Sequence, residues 1–328
     1  METRKLDIEL LGSLVSKVRR DQLFYSEYKF LTDEQLQLYF LNKEKSLIEN
    51  SESYQIVAIE KRDLIGYLSC VKDHFDSEIF GFGCYRISNL QVFSNYQREI
   101  QSITSSLFQK LEGTLKQKER KFHVSIGLSN NMQDFDKIFN SLTGNGFYYY
   151  HTLLTFSSIK LKFNGDLGRN KGITIRTATK EDSEEISRIA AESFELSRFK
   201  LDPFLDDTKG NYLLGLSARN AVEKKFVDVV FVAEIDGRIA GYYTGKKRYI
   251  KEFDRTLGEG IISAIDSQYR GRGVFTVLDN TILNWLADNS DFTEMGTYLG
   301  NFPVHKSFIK KGLPLIRSTH QLSKLIGT

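Results

Sequence analysis

Gln268-Tyr269-Arg270-Gly271-Arg272-Gly273 is the stretch on which the reading of this chain turns. It stands between an apolar run with β character, Gly260 to Ile265, and a helix-patterned run, Val274 to Ala287. A strand, a tight glycine loop and a helix start together make an anion cradle. The glycines let the backbone turn sharply and expose successive N–H groups, and the N-terminal end of the helix adds a field that favours negative charge. The plainer alternative is an ordinary strand-to-helix turn. No Gly-Lys-Ser/Thr follows, so this is not a Walker loop, and no third glycine follows at the dinucleotide spacing.

Outward from the loop, the second half opens with Ile173-Thr174-Ile175-Arg176-Thr177-Ala178-Thr179, whose apolar residues alternate as in a strand. A helical pattern follows (Ile186, Ile189, Ala190, Phe194), with Thr179 and Asp182 at capping-box spacing before it. Val229 to Ile235 and Ile239 to Tyr243 flank Asp236-Gly237 and predict a hairpin whose central residues take positive φ. A strand over Thr293 to Leu299 and a short helix over Pro303 to Lys311 complete the half.

The first half repeats this order: a hairpin (Tyr54 to Ile59, Leu64 to Leu68), a strand (Tyr85 to Phe93), a helix (Ile100, Ile103, Leu107, Leu111, Leu115), a strand (Phe122 to Leu128), a short helix (Asp136 to Leu142) and a last strand from Gly146-Phe147-Tyr148. The halves read as duplicated versions of one fold. Where the second half has its glycine loop, the first has Phe93-Ser94-Asn95-Tyr96-Gln97, which lacks glycine and so lacks the cradle. The Gly- and polar-rich stretch 165–172 reads as a linker, dividing the chain into 1–164 and 173–328.

Composition narrows the class. At 328 residues there is chain for two ordinary domains, and 41% apolar residues suffice for packed cores. No run of about 18 apolar residues exists, and Met1 to Asp7 lacks the apolar stretch of a signal peptide, so a cytoplasmic protein without a membrane span is expected. Two cysteines, Cys70 and Cys84, make no disulfide framework. Five scattered histidines give no zinc-ligand spacing, so no metal is expected. A net charge of +3, from 45 basic and 42 acidic residues, is too balanced to argue for nucleic acid.

The loop spacing, with Asp76-Ser77-Glu78-Ile79-Phe80-Gly81, the run Ser193 to Asp202, and Met295-Gly296-Thr297-Tyr298-Leu299-Gly300-Asn301, resembles the GNAT acyltransferases, and among them the bacterial dTDP-amino-sugar N-acyltransferases typified by TDP-fucosamine acetyltransferase. The fold class that follows is a mixed-sheet α/β architecture of two tandem GNAT-like domains: a degenerate one over 1–164, the linker 165–172, and a complete one over 173–328 that carries the acyl-CoA site.

The resemblance implies acyl-CoA as donor and, as acceptor, the amino group of a dTDP-linked aminodideoxyhexose destined for surface polysaccharide such as the O-antigen of lipopolysaccharide. It implies that the backbone N–H groups of Gly271, Arg272, Gly273 and Val274, in the loop that starts at Gln268 and Tyr269, hold the diphosphate of CoA. It also implies that Ile265 and Asp266 pair with the pantetheine arm. Asp266 is either a chemical participant or a turn residue. Arg270 and Arg272 either meet phosphates or are solvated charges. Asn301 either orients the CoA arm or caps a helix.

The family's tyrosine proton donor on the helix after that Asn is Phe308 here, and phenylalanine donates no proton. The alternatives are another donor or unassisted departure of thiolate. His305, three residues earlier, stands as a catalytic candidate or a surface histidine. A Phe in place of Tyr would instead either widen or dry the acyl pocket, and a wider pocket would have room for a group larger than acetyl, such as 3-hydroxybutanoyl. For the acceptor, Arg198, Phe199 and Asp202 border the expected cleft, Arg198 as a phosphate partner or a structural salt bridge and Phe199 as a ring that stacks on the base or lines the sugar pocket, or as a core residue. Glu78 is a candidate base for the amine or part of a turn. A degenerate half also invites a homodimer. Two other readings stand beside the sugar-nucleotide one: a GNAT enzyme acting on an amino acid, antibiotic or protein amine, and a CoA-binding protein without catalysis.

Overall fold

The computed structural model describes residues 1–93, 97–132, 134–160, 162 and 172–327. Most of the expected linker (165–171) and the centre of the first half's loop counterpart (94–96) lie outside the described residues. The chain forms two compact units, one of Met1–Thr152, Asp202–Phe204 and Arg317–Thr328, the other of Leu153–Leu201 and Leu205–Ile316.

The first half runs β1 (Glu2–Lys5), α1 (Ile8–Lys17), α2 (Asp33–Glu49), β2 (Ser53–Glu60), β3 (Asp63–Lys72), α3 (His74–Phe80), β4 (Gly83–Val92), α4 (Gln97–Lys116), β5 (Phe122–Ser129), α5 (Phe135–Gly144) and β6 (Tyr148–Ser158). The second runs β7 (Thr174–Thr177), α6 (Ser183–Ser193), α7 (Arg198–Leu201), α8 (Asp207–Val222), β8 (Val229–Ile235), β9 (Arg238–Ile250), β10 (Arg255–Ile265), α9 (Val274–Asn289), β11 (Phe292–Tyr298), α10 (Phe302–Lys310) and β12 (Leu315–Ile326). The element order expected from the sequence is present in both halves.

The last strands are exchanged. β12 leaves the second half in sequence and pairs antiparallel with β5, from Thr319↔Ser129 to Ile326↔Phe122, so the first unit's strands run β1-β2-β3-β4-β5-β12. The C-terminal part of β6 pairs antiparallel with β11, from Thr293↔Ser158 to Tyr298↔Leu153, so the second unit's strands run β6-β11-β10-β9-β8-β7. Each sheet is mixed: β4 with β5 and β10 with β11 are parallel, joined by the crossover helices α4 and α9.

The cores follow the helical and strand periods. Ile100, Ile103, Leu107, Leu111 and Leu115 of α4 are all buried against Ile56, Ala58, Leu68 and Ile87 of the first sheet, with Leu322 of β12 in the same cluster. Leu278, Ile282, Leu283 and Leu286 of α9 bury one stripe against Val229, Ala240 and Tyr243. On the other side of the second sheet, Ile186, Ile189 and Ala190 of α6 meet Ala218 and Ala221 of α8. Asp236 and Gly237 take φ of 50° and 71°, the mirror-image hairpin turn the sequence predicted. Thr179 and Asp182 also meet as expected: the carboxylate accepts from Thr179 N at 2.7 Å, and it further holds Arg176 through two bonds of 2.7 and 2.8 Å.

Leu322 is fully buried and reaches the first unit only through strand exchange. Leu322→Ala is expected to destabilise that unit by about 2–5 kcal/mol. In native-state hydrogen exchange the amides of β5 should lose protection while those of β8 and β9 keep theirs. Unchanged protection of β5 would mean that β12 is not part of that sheet in solution.

Candidate active site

The second unit's site begins with a backbone irregularity. β10 and β11 run parallel from Leu257↔Phe292 to Gly260↔Met295, and there the ladder stops, although β10 continues to Ile265 and β11 to Tyr298. At the same residue the pairing of β10 with β9 shifts register, from Gly260↔Gly245 to Ser263↔Tyr243. Three steps on β10 match two on β9, which is a bulge. The Thr244 hydroxyl absorbs it, accepting from Ile262 N at 3.0 Å and donating to Ile262 O at 3.2 Å. Beyond Gly260, then, β10 stays fixed to β9 while the edge it turns toward β11 has no ladder partner. Unpaired main-chain groups there require other hydrogen-bond partners.

β10 ends in the glycine loop. Asp266 anchors the turn: its N–H donates to Ala240 O at 3.0 Å, and one carboxylate oxygen accepts from Gln268 N at 2.9 Å. The other oxygen takes Arg188 Nη2 of α6 at 2.5 Å. Burial pushes the Asp266 carboxyl up, but the Arg188 guanidinium and the Gln268 N–H outweigh it and hold the carboxyl below its usual value. Tyr269 packs against the apolar core beneath, and Gln268 is exposed. Arg270 is tied back to the end of α6, donating to Glu195 Oε1 and to the Ser193 carbonyl at 2.9 Å each. Arg272 lies 5.5 Å from the centre of the Tyr269 ring and makes no ion pair among the described residues.

Gly271 and Gly273 have φ of 78° and 83°, values that side chains with a Cβ adopt only at a cost, and a Cβ on Gly271 would meet nothing within 4 Å. The space above the loop is therefore open. The first bond of α9 runs from Val277 N to Gly273 O at 3.2 Å, so the N–H groups of Val274, Phe275 and Thr276 precede the helix's own bonding.

β11 ends beside it, at Tyr298, and the chain turns into α10. Asn301 stands at the N-cap with its N–H on Tyr298 O at 2.8 Å, but its side chain makes no capping bond. His305 Nε2 bonds the Tyr298 carbonyl at 2.9 Å, so Nε2 carries the proton and Nδ1 is the ring's remaining nitrogen. Phe308 is buried, packed edge-on against Phe156 with ring centres 5.2 Å apart. Behind it a buried ion pair locks α10 to α9: Lys311 Nζ meets Asp279, whose same oxygen accepts from Ser307 Oγ at 3.1 Å.

The segment after α6 touches both ends. Ser193 Oγ donates to Ile265 O at 3.2 Å, a Cβ on Gly300 would lie 3.5 Å from Leu196, and Arg198 N donates to the Tyr298 hydroxyl at 3.1 Å. The Arg198 guanidinium stacks 4.2 Å from the centre of the Phe199 ring, which is itself buried. The structure thus brings together Ile265, Asp266, the loop from Gln268 to Val274, Asn301, His305, Arg198 and Phe199 at the ends of two neighbouring parallel strands. Glu78 and Asp202 belong to the other unit: Glu78 is exposed on α3, and buried Asp202 pairs with His123 Nε2 at 2.8 Å. Sequence reasoning missed Arg188, Thr244 and the bulge. Arg188 reads as a surface partner of Glu185 and Glu192 on its own helix, and nothing in the sequence couples it to a carboxylate 78 positions away.

No family model matches the sequence, and no curated protein matches it. Solved structures do match. A tandem GNAT protein from the clavulanic acid biosynthesis pathway aligns with 100% of this chain and 99% of its own, with a TM-score of 0.58 and 12% identity. The fold is that of a tandem GNAT protein. A GCN5-related N-acetyltransferase from Sphaerobacter thermophilus aligns over 100% of this chain and 96% of its own, with a TM-score of 0.64 and 12% identity. A glucosamine N-acetyltransferase region within a fungal multi-domain β-N-acetylglucosaminidase covers 98% of this chain and 38% of that one, with a TM-score of 0.66 and 12% identity. Among the described residues of this tandem GNAT fold, no group of three or more His, Cys, Asp or Glu is placed to hold a metal, and no helix is long and apolar enough to cross a membrane.

The Asp266 anchor gives a pH signature. Its folded pKa is depressed, so its stabilisation is present above the unfolded carboxylate value of about 3.9 and is lost as pH falls through the lower folded value. Arg188 is 40% exposed, which limits the pair to about 1 kcal/mol. Asp266→Asn should lower the melting temperature by a constant amount between about pH 5 and pH 8, and the gap to the unmodified protein should begin to narrow near about pH 4 and close only as pH falls through the lower folded value. A gap that stays the same size from about pH 6 down to the lowest pH at which the protein remains folded would mean the carboxylate does not act as a charged anchor.

Proposed function

We propose that the second unit binds an acyl-CoA and transfers its acyl group to a primary amine, and that the acceptor is the amino group of a dTDP-linked aminodideoxyhexose. The observation that carries the cofactor part is the parting of β10 from β11 at Gly260, directly before a glycine loop at the start of α9. An extended ligand with amide groups and a diphosphate matches both features: main-chain pairing along a free strand edge, and an anion at a helix N-terminus. The N–H groups of Gly271, Arg272, Gly273 and Val274 would hold the diphosphate, with the Arg272 guanidinium as the cation beside it. Ile265 would offer its backbone to the arm, and Asn301, whose side chain makes no cap bond, would orient it.

When bound, acyl-CoA supplies an acyl group activated as a thioester. The residues of the chain then have three tasks. They hold thioester and amine within attack distance, give main-chain donors to the carbonyl oxygen at the open edge of β10, and accept the amine's proton. Asp266 would act as a positioning residue, since both of its oxygens are engaged. His305 places an imidazole at the end of β11, its Nε2 bonded to the Tyr298 carbonyl, and its Nδ1 would be the acceptor offered to the amine. Arg198 and Phe199 would border the acceptor.

The sugar half of the acceptor has two supports: the sequence resemblance, and a structural neighbour described as acting on glucosamine. The donor is acetyl-CoA or a short hydroxyacyl-CoA such as 3-hydroxybutanoyl-CoA. Phe308, a residue without a proton to give at the position where the resemblance implies a tyrosine donor, favours a second reading, a CoA-binding protein without catalysis.

Calorimetry with CoA should show binding by the unmodified protein. Gly271→Ala and Gly273→Ala should each weaken it by about tenfold, the cost of forcing a Cβ into the left-handed region. Absence of CoA binding would remove the proposal. Turnover of acetyl-CoA and 3-hydroxybutanoyl-CoA should then be measured with dTDP-amino sugars, free amino sugars, amino acids and peptide amines. Binding with no turnover across the whole panel would establish the second reading, and turnover only with non-sugar amines would remove the sugar acceptor.

A further inference from the structure

A short segment crosses from one bank of the opening in the second sheet to the other. It runs from Ser193, the last residue of α6, into α7 at Arg198 and Phe199. Its near end stands on β10. Asp266 N donates to Ala240 O at 3.0 Å, so Asp266 bonds toward β9. Along an antiparallel ladder that direction alternates. Ile265, paired with Gly241, therefore turns its N–H and carbonyl the other way, to the edge that β11 has left. Ser193 Oγ donates to this carbonyl at 3.2 Å, so the segment reaches the free edge itself.

The far end stands on β11. Arg198 N donates to the Tyr298 hydroxyl at 3.1 Å, and a Cβ on Gly300 would lie 3.5 Å from Leu196. Phe199 is held from behind: it is buried, and a Cβ on Gly210 of α8 would lie 2.4 Å from its own Cβ, so only glycine lets α8 come this close. The glycine loop grips the segment as well. Arg270 donates to Ser193 O and to Glu195 Oε1, at 2.9 Å each. Both bonds commit this guanidinium to the segment, although it belongs to the loop.

In the acyl-transfer reading, on which this inference rests, the thioester lies along the edge of β10 and the amine has to be brought to it. An element fixed to both banks sets that approach, and Arg198 and Phe199, which would border the acceptor, are its far end.

We propose that the segment from Ser193 to Phe199 is the platform that delivers the acceptor amine, and that Arg270 and Tyr298 are its positioning residues. Arg270 ties the platform to the donor loop, and Tyr298 ties it to β11. Arg270 thus serves the acceptor, while the diphosphate is left to the main-chain N–H groups and Arg272. A small displacement of the platform takes the amine out of attack distance.

The test uses the full chain and the variants Arg270→Gln, Glu195→Ala and Tyr298→Phe. Calorimetry reads the affinity for CoA, turnover at saturating acyl-CoA reads the acceptor KM, and hydrogen exchange reads the amides of 194–201. Arg270→Gln and Glu195→Ala should each raise the acceptor KM by about threefold, the scale of one exposed ion pair. Combining them should add little, because both remove the same tie. Tyr298→Phe strands the Arg198 N–H and should raise it by about tenfold. All three should speed exchange over 194–201 and leave CoA affinity within about twofold. A merely structural role would not separate acceptor KM from CoA affinity in this way. Arg270→Gln that weakens CoA as much as it raises the acceptor KM would overturn the proposal and make Arg270 a phosphate ligand. Unchanged exchange over 194–201 would overturn it too. Absence of CoA binding, or of turnover with every amine, would remove the acyl-transfer reading and the platform with it. Turnover with an unmoved acceptor KM would remove the platform alone.

Discussion

The second unit depends on one constraint: β10 must leave β11 at Gly260 without losing β9. Two things make this possible. The bulge supplies the extra residue that turns the strand, and the Thr244 hydroxyl satisfies the backbone groups the bulge displaces. Space decides the residue at the pivot. A Cβ at position 260 would lie 2.6 Å from Met295 Sδ and 3.1 Å from the Tyr243 hydroxyl, both on buried side chains. A larger residue there would push β11 away along its whole length or force the core residue Met295 out of place, so the opening would no longer be local. Glycine lets the strands touch up to that residue and part after it.

From this pivot the loop inherits its position, and its electrostatics follow a consistent pattern. The glycine loop has a carboxylate, Asp266, at its base. Arg188 neutralises it from behind while its other oxygen organises the Gln268 N–H, so the charge would not oppose the anion of the proposed ligand. Arg270 is likewise cancelled, by Glu195. In the proposed complex, what remains to act on the diphosphate is the set of main-chain N–H groups at the start of α9 and the Arg272 guanidinium. Directional donors fixed by two left-handed glycines discriminate by shape as well as charge, which a cluster of free lysines would not.

The sequence revealed the elements better than their partnerships. The loop, the Asp236-Gly237 hairpin and the Thr179–Asp182 cap were legible because each is local, with its chemistry decided within six residues. The exchanged strands were not. β12 contains Ser318-Thr319-His320-Gln321 and is only partly buried over most of its length, so it lacks the alternation that marks a strand. Its pairing with β5 spans about two hundred residues, beyond the reach of any pattern. The opening helices α1 and α2 and the helix α8 also went unread. α8 carries two glycines on its buried face, which weakens the helical signal, and Gly215 is there because Ser187 O would lie 3.1 Å from a Cβ. Site residues divided along the same line. Those in the loop could be named from sequence, whereas Arg188 and the free edge of β10 are products of the tertiary structure.

The chemistry left to side chains in the proposed transfer is small, and its direction can be worked out. Phe308, buried against Phe156, has no proton to give. Burial pushes the Tyr298 phenol up, so a departing thiolate, whose conjugate acid has a pKa of about 8.5, is too weak a base to take the tyrosine's proton. It can at most accept a hydrogen bond. His305 gives its Nε2 proton to the Tyr298 carbonyl, which leaves Nδ1 as the ring's acceptor when the imidazole is neutral. That orientation suits a group that receives the amine's proton and does not suit one that protonates sulfur. A thiolate is already a competent leaving group near neutral pH, so acid assistance adds little. Proximity contributes more. Holding thioester and amine in one geometry can be worth an effective concentration of about 10⁵ M or more, and it requires only a fixed strand edge, a fixed loop and a bordering acceptor surface. The parting of β10 and β11 provides the first two from main-chain atoms alone, so the proposed transfer does not depend on a phenolic acid where Phe308 stands.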